Sequence, residues 1–173
     1  MKVKVTTLMP FRRRAELKTN YVKRLALIKS KKPRLVVRKS NSAIIVQIIS
    51  HGMNGDITEA SAVSKELKKK GWNYSAKNLP SAYLTGMLCG LRAKKKGIKE
   101  AVADIGLNSP VHGSRIFSAV KGAIDAGLEI NVGEEALPKE ERIRGMHINE
   151  GVAKAFEEAK QKIAKEMVSK DAK

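Results

Sequence analysis

PRLVVRKSNSAIIVQII, residues 33–49, sets two short runs of apolar and β-branched residues on either side of a polar KSNS segment. Val and Ile favour the pleated conformation and Ser and Asn favour turns, so the stretch predicts two antiparallel strands. Alternation puts Arg34, Val36 and Arg38 on one side of the first strand and Leu35, Val37 and Lys39 on the other. On the second strand Ile44, Val46 and Ile48 alternate with Ile45, Gln47 and Ile49. If Leu35 and Val37 face a core with Ile44, Val46 and Ile48, the opposite face displays Arg34, Arg38 and Gln47. A sheet packed on one side has a wet second face in any case, so this arginine face needs support from elsewhere before it counts as a binding surface. Read as exposed, Arg34 and Arg38 should both be replaceable by Ala without loss of the fold.

Downstream, Asn54-Gly55 marks a tight turn and DITEASAVS continues as a third strand, which completes a β-meander. ELKKKG reads as a short helix stopped by Gly71, and LPSAYLTGMLCGLRAKKKG as a longer one ending at Gly97. Leu84, Met87, Leu88 and Leu91 form its apolar stripe, while Gly86, Gly90 and Ala93 form a smooth one. The smooth stripe predicts close approach of a neighbouring core strand in preference to the backbone of a binding partner. KEAVADIGL fits a strand covered on both faces, SRIFSAVKGAIDAGL a helix with Ser114 as N-cap and Gly127 as its stop, and LEINV a last short strand.

Upstream, from about Arg13 to Lys29, Leu17, Tyr21, Leu25 and Ile28 recur at helical spacing, which predicts one amphipathic helix docked on the domain. Arg14, Lys18 and Arg24 would face outward, and Pro33 would end the helix. Val152, Phe156, Ala159, Ile163 and Met167 mark a C-terminal amphipathic helix. The expected architecture is α/β: a mixed sheet, first an antiparallel meander and then βαβ elements, with helices packed on it. Its expected parts are a basic arm (1–32), an α/β domain (33–150) and a C-terminal helix (151–173).

The charge of the 173-residue chain is +18, from 35 Lys and Arg against 17 Asp and Glu. Residues 1–39 hold 14 of the cations and one acid, Glu16, for a net of +13, and the remainder nets +5. Solubility does not require the excess at one end, whereas a phosphate-rich partner rewards it, because each neutralised phosphate releases condensed counterions. A membrane partner is disfavoured: the arm's apolar stripe is narrow, no run is long enough to span a bilayer, and MKVKVTTLMPFRRR lacks the apolar stretch of a secretory signal. The single cysteine, Cys89, lies in an apolar helix without a nearby His or acid and reads as packing. The protein is expected to be intracellular.

Catalytic constellations are scarce. His51, His112 and His147 have no second ligand at metal spacing, and one cysteine cannot form a zinc site. GLNSPVHGSR (106–115) is a loop into a helix N-terminus but lacks both the Gly-Lys-Ser/Thr ending of a P-loop and the dinucleotide fingerprint. Asp56 and Asp104 are conceivable nuclease carboxylates, yet no further acids cluster with them in sequence. No enzyme activity, cofactor, metal or small-molecule substrate is expected. With 4% aromatic residues, scattered along the chain, stacking platforms for single strands are missing, which favours folded RNA read through backbone and shape.

FRRRAELKTNYVKRL, KPRLVVRKSNSAIIVQII, NGDITEASA, NLPSAYLTGMLCGLRAKKKGI, AVADIGLNSPVHGSRIFSAVKGAIDAGLEI and RIRGMHI, in that order and spacing, resemble the archaeal-type large-subunit ribosomal protein eighteen. The resemblance covers about residues 9–150. It implies a fold of the translational-machinery type and a non-catalytic protein of the large subunit. Such a protein binds 5S rRNA and anchors it to the large-subunit rRNA in the central protuberance, among neighbouring ribosomal proteins. Carried onto this chain, it implies RNA contacts from Arg12, Arg13, Arg14, Lys18, Tyr21 and Arg24 in the arm and from Arg34, Arg38, Lys39, Ser40, Asn41 and Gln47 in the hairpin. Ser42 stands where relatives often carry a basic residue. Lys94, Lys95, Lys96, Ser109, Ser114, Arg115, Arg142 and Arg144 are secondary candidates for either rRNA. The competing readings are a general architectural binder of structured RNA and an RNA-processing enzyme.

Overall fold

The computed structural model describes residues 9–169, with no side-chain account of Glu150 or of residues 166–169. Strands β1 (Arg34–Lys39), β2 (Ile44–Gly52) and β3 (Gly55–Val63) form the expected meander. A fourth strand, β4 (Val102–Asp104), pairs parallel to β1, which gives a mixed sheet of order β3-β2-β1-β4. The register sets Leu35 opposite Ile48 and Val37 opposite Val46, so the apolar alternates lie on one face, fully buried.

Helices α3 (Leu79–Lys95) and α4 (Arg115–Asp125) cover that face. Their mutual contact explains the smooth stripe of α3, though the neighbour is a helix and not the expected strand. A methyl group at Gly86 would overlap the Ala119 carbonyl, one at Gly122 the Tyr83 carbonyl, and one at Gly90 the Ala126 methyl. Small residues on both helices let the backbones approach to where side chains would otherwise stand. Cys89 is buried in this layer, and burial pushes its thiol up to about 12, which is inert packing behaviour.

Helix α5 (Glu140–Arg144) leads into α6 (Glu150–Ser169). Val152, Phe156, Ala159 and Ile163 of α6 lie in the same core as the sheet, so this helix is docked along its apolar stripe. Met167, the last residue of that stripe, lies outside the residues whose side chains are described.

Three local expectations are corrected. LEINV forms no strand: Glu129 makes one parallel bridge to Glu100, beside the edge strand β4, and the chain then turns away. β4 is an edge strand with Val102 and Ala103 only half-buried, not a strand covered on both faces. Ser114 occupies the N-cap position of α4, but its hydroxyl is buried without a hydrogen bond and does not cap.

The arm also departs from one continuous docked helix. It breaks into α1 (Arg12–Ala15) and α2 (Tyr21–Lys29), with Leu17 at φ 51° between them and Asn20 capping α2 by accepting from the Lys23 N–H. The break puts the predicted stripe out of phase: Leu17 is 82% exposed, Leu25 is 55% exposed, and α2 buries no residue completely. A residue with a good N-cap side chain thus starts a new helix where periodicity alone predicts continuation.

Candidate nucleic-acid interface

Helix α2 and the loop after β4 rise beside the second face of the sheet and leave a cleft of about 500 Å³. Its apolar lining includes Val36, Ile49, Ala26 and Leu27. Six cations share it, Arg13, Lys18, Lys23, Arg24, Arg34 and Arg38, against two acids, Asp56 and Asp104. A concave surface with that imbalance attracts polyanions and raises their local concentration.

The arginine face is not the open, wet surface that alternation suggests. Arg34 is 5% exposed, because β1 is an inner strand and β4 sets Asp104 beside it. Its Nη1 donates to Asp104 Oδ2 at 3.1 Å and its Nη2 to Asp56 Oδ2 at 2.8 Å. Arg24 of α2 donates to that same Asp56 oxygen at 2.8 Å, so it is tied to the sheet and does not simply face outward. Arg38 donates to the Asp104 carbonyl at 3.1 Å and lies 3.4 Å from its carboxylate, while the Gly106 N–H donates to the carboxylate at 2.8 Å. The guanidinium of Arg38 rests on Gly106, whose φ of +63° is one that L side chains rarely adopt and whose missing side chain leaves the space. Asp56 is also 3.0 Å from His51 Nδ1. Burial would raise the Asp56 pKa, but His51, Arg34 and Arg24 outweigh it and hold the carboxyl below the usual range.

The burial of Arg34 argues against the expectation that it is dispensable for the fold, since truncation would leave the buried Asp104 carboxylate only Arg38 and the Gly106 N–H as partners. Arg38, with its side chain 44% exposed, is the more accessible guanidinium of the hairpin.

Of the remaining arm residues, Arg14 and Tyr21 line a second hollow with Leu17 and Val22, and Tyr21 leans on Phe11 with ring centroids 5.2 Å apart. Arg12 and Lys18 share Glu16 at 3.0 and 2.8 Å. At the tip of the β1–β2 hairpin, Lys39, Ser40 and Asn41 are exposed, and the Ser40 hydroxyl holds the turn by accepting from the Ala43 N–H at 2.9 Å. Gln47 lies half-buried on the cleft's side of the sheet, opposite Val36.

The secondary candidates do not line this cleft. Lys94, Lys95 and Lys96 end α3, where Lys96 lies 3.9 Å from Glu59. Arg115 donates to the Lys77 carbonyl at 2.9 Å, and Ser109 is exposed in the loop before α4. Arg142 is exposed on α5, and Arg144 lies 3.5 Å from Glu140 and 3.8 Å from Glu157 of α6.

Sequence reasoning missed Lys23 and the part played by Asp56 and Asp104. The two acids do converge, but on Arg34, and among the described residues no group of three potential ligands could hold a metal. The signal for this pairing is the parallel register of β1 with β4, which becomes readable only when strand order is known.

The model of the family "Ribosomal large subunit proteins 60S L5, and 50S L18" matches residues 7–101. The large ribosomal subunit protein uL18 of Korarchaeum cryptofilum is 55% identical over 148 residues, covering 86% of this chain and 76% of the relative. The proteins of the same description from Haloarcula marismortui and Methanothermobacter thermautotrophicus are each 54% identical over 142 residues, covering 82% of this chain and 76% and 74% of theirs. These relatives are structural ribosomal proteins and not enzymes. The chain belongs to the family of large-subunit ribosomal proteins that comprises 60S L5 and 50S L18.

Proposed function

We propose that this protein is a cytoplasmic, structural component of the large ribosomal subunit that binds 5S rRNA. It would anchor that RNA to the large-subunit rRNA in the central protuberance, beside neighbouring ribosomal proteins. The observation that carries the reading is the gathering of the arm's cations and the β1 arginines around one cleft, in a chain of this family. Residues 1–32 act as the arm that follows RNA phosphates and residues 33–150 as the domain that orients it. The helix from 151 onward extends the core. Arg13, Lys18, Arg24 and Arg38 are the foremost phosphate contacts, with Lys39 and Asn41 at the exposed hairpin tip beside them. The two helices over the opposite sheet face make the scaffold rigid, which suits recognition by shape.

The test is a gel-shift competition of 5S rRNA against transfer RNA and duplex DNA at near-physiological salt. Preference for 5S rRNA supports the proposal. Equal competition by duplex DNA would indicate a general architectural binder, and cleavage of the RNA on incubation would indicate a processing enzyme.

A further inference from the structure

Two carboxylates in a cleft that receives a phosphodiester backbone should repel it. Their placement says otherwise. Arg24, Asp56, Arg34, Asp104 and Arg38 form one continuous chain of ion pairs in which cations and acids alternate, with successive N–O separations of 2.8, 2.8, 3.1 and 3.4 Å. The middle arginine is buried and both its terminal nitrogens are committed to the acids, so it works as an internal strut. The two end arginines differ: their side chains are 37% and 44% exposed, and both line the cleft. Each acid oxygen already accepts from a guanidinium, from the Gly106 N–H or faces His51, so the negative charge is spent within the array.

We propose that Asp56 and Asp104 are positioning residues of the RNA interface: they hold Arg24 and Arg38 on either side of buried Arg34 as a preformed guanidinium pair that takes a phosphodiester of a folded RNA in the cleft. The inference rests on the reading of this cleft as an rRNA interface. The physical reason is pre-organisation. A free surface arginine must be immobilised when it binds, whereas one already fixed by a carboxylate has lost that freedom on folding. The ordering cost avoided corresponds to roughly 2- to 10-fold in affinity per side chain. Asp56 also ties α2 to the sheet through Arg24, so it sets the width of the cleft as well as the aim of one donor.

Bulk electrostatics and positioning make opposite predictions. Asp56→Asn and Glu158→Gln each raise the net charge from +18 to +19, and Glu158 is an exposed residue of α6, away from the cleft lining. Affinity for deproteinised large-subunit rRNA, containing 5S and large rRNA together, is measured for both variants at one salt concentration, with thermal unfolding of each protein followed in parallel. E158Q is expected to bind at least as tightly as the unmodified protein and D56N roughly 2- to 10-fold more weakly. In a double-mutant cycle, D56N added to Arg24→Gln is expected to cost less than twofold further, because the acid acts through that arginine. Should D56N lose its cooperative transition, Asp56→Glu takes its place: it keeps the charge, moves the carboxylate by one methylene, and is likewise expected to bind more weakly. D56N binding as tightly as E158Q, an undiminished effect of D56N in the R24Q background, or D56E binding like the unmodified protein would overturn the proposal. Loss of 5S preference in the competition above would instead refute the 5S assignment, and leaves this comparison readable because its probe contains both RNAs.

Discussion

Arg34 Nη1 lies 3.1 Å from Asp104 Oδ2, with the two side chains 6% and 9% exposed, so an ion pair is buried between the first and last strands of the sheet. This pair fastens edge strand β4 to β1, and it makes the two arginines of the hairpin unequal. Arg34→Ala takes from the buried Asp104 carboxylate its buried partner and leaves it Arg38 and the Gly106 N–H, a defect of up to about 3–5 kcal/mol. Arg38→Ala removes a side chain that is 44% exposed and should change stability by under about 1 kcal/mol. Urea unfolding of the two variants checks this: a large fall in midpoint for R34A and a small one for R38A are expected, while rRNA affinity falls in R38A with the fold intact.

The α3–α4 contact is the second place where one atom group decides stability. Gly86→Ala would drive a methyl into the Ala119 carbonyl, and the backbone cannot rotate away as a side chain can. A loss of roughly 1–3 kcal/mol or more is expected from such overpacking. Gly133→Ala, where nothing lies within 4 Å, should be nearly neutral and serves as the control in the same thermal melts.

Asp56 gives the protein a stability dependence at acid pH whose sign is fixed by its lowered pKa. The folded-state value lies below the ordinary 3.8, so the unfolded chain takes up the proton first. The stabilisation from Asp56 is complete above about that ordinary value and is lost as pH falls below it, through the folded-state value. Melts of the unmodified protein and D56N should therefore differ at pH 5 and converge as the pH is lowered below about 4.

Much of the fold was legible because two periodicities compete poorly with each other. Val and Ile at alternate positions of 34–49 and the Asn54-Gly55 turn specify the meander, and Gly71, Gly97 and Gly127 end elements at left-handed conformations that favour glycine. The arm was misread because Leu17, Tyr21, Leu25 and Ile28 keep helical spacing across a real break, where the capping side chain of Asn20 outweighs periodicity. At the candidate interface, the cations Arg13, Lys18, Arg24 and Arg38 were visible as an unbalanced charge run. The burial of Arg34 and the gathering of Asp56 and Asp104 depend on β1 lying between β2 and β4, a long-range pairing that local pattern does not encode.

The central claim, that the N-terminal cations bind rRNA phosphates, is tested most directly by the salt dependence of binding of a protein lacking residues 1–32. The deletion removes 11 Lys and Arg and one acid, lowering the net charge from +18 to +8. The arm helix α2 buries no residue completely, so a cooperative unfolding transition should survive, with the Arg24–Asp56 and Lys32–Glu100 ties lost. Binding of 5S and large-subunit rRNA is followed from 50 to 200 mM salt, a range over which 6–10 phosphate contacts cost roughly 10³ to 10⁵ in affinity. The expected result is a cooperatively folded truncated protein with much weaker binding and a distinctly flatter slope of log affinity against log salt. Affinity and slope equal to those of the full chain would contradict the claim and reduce the arm to a solubilising run.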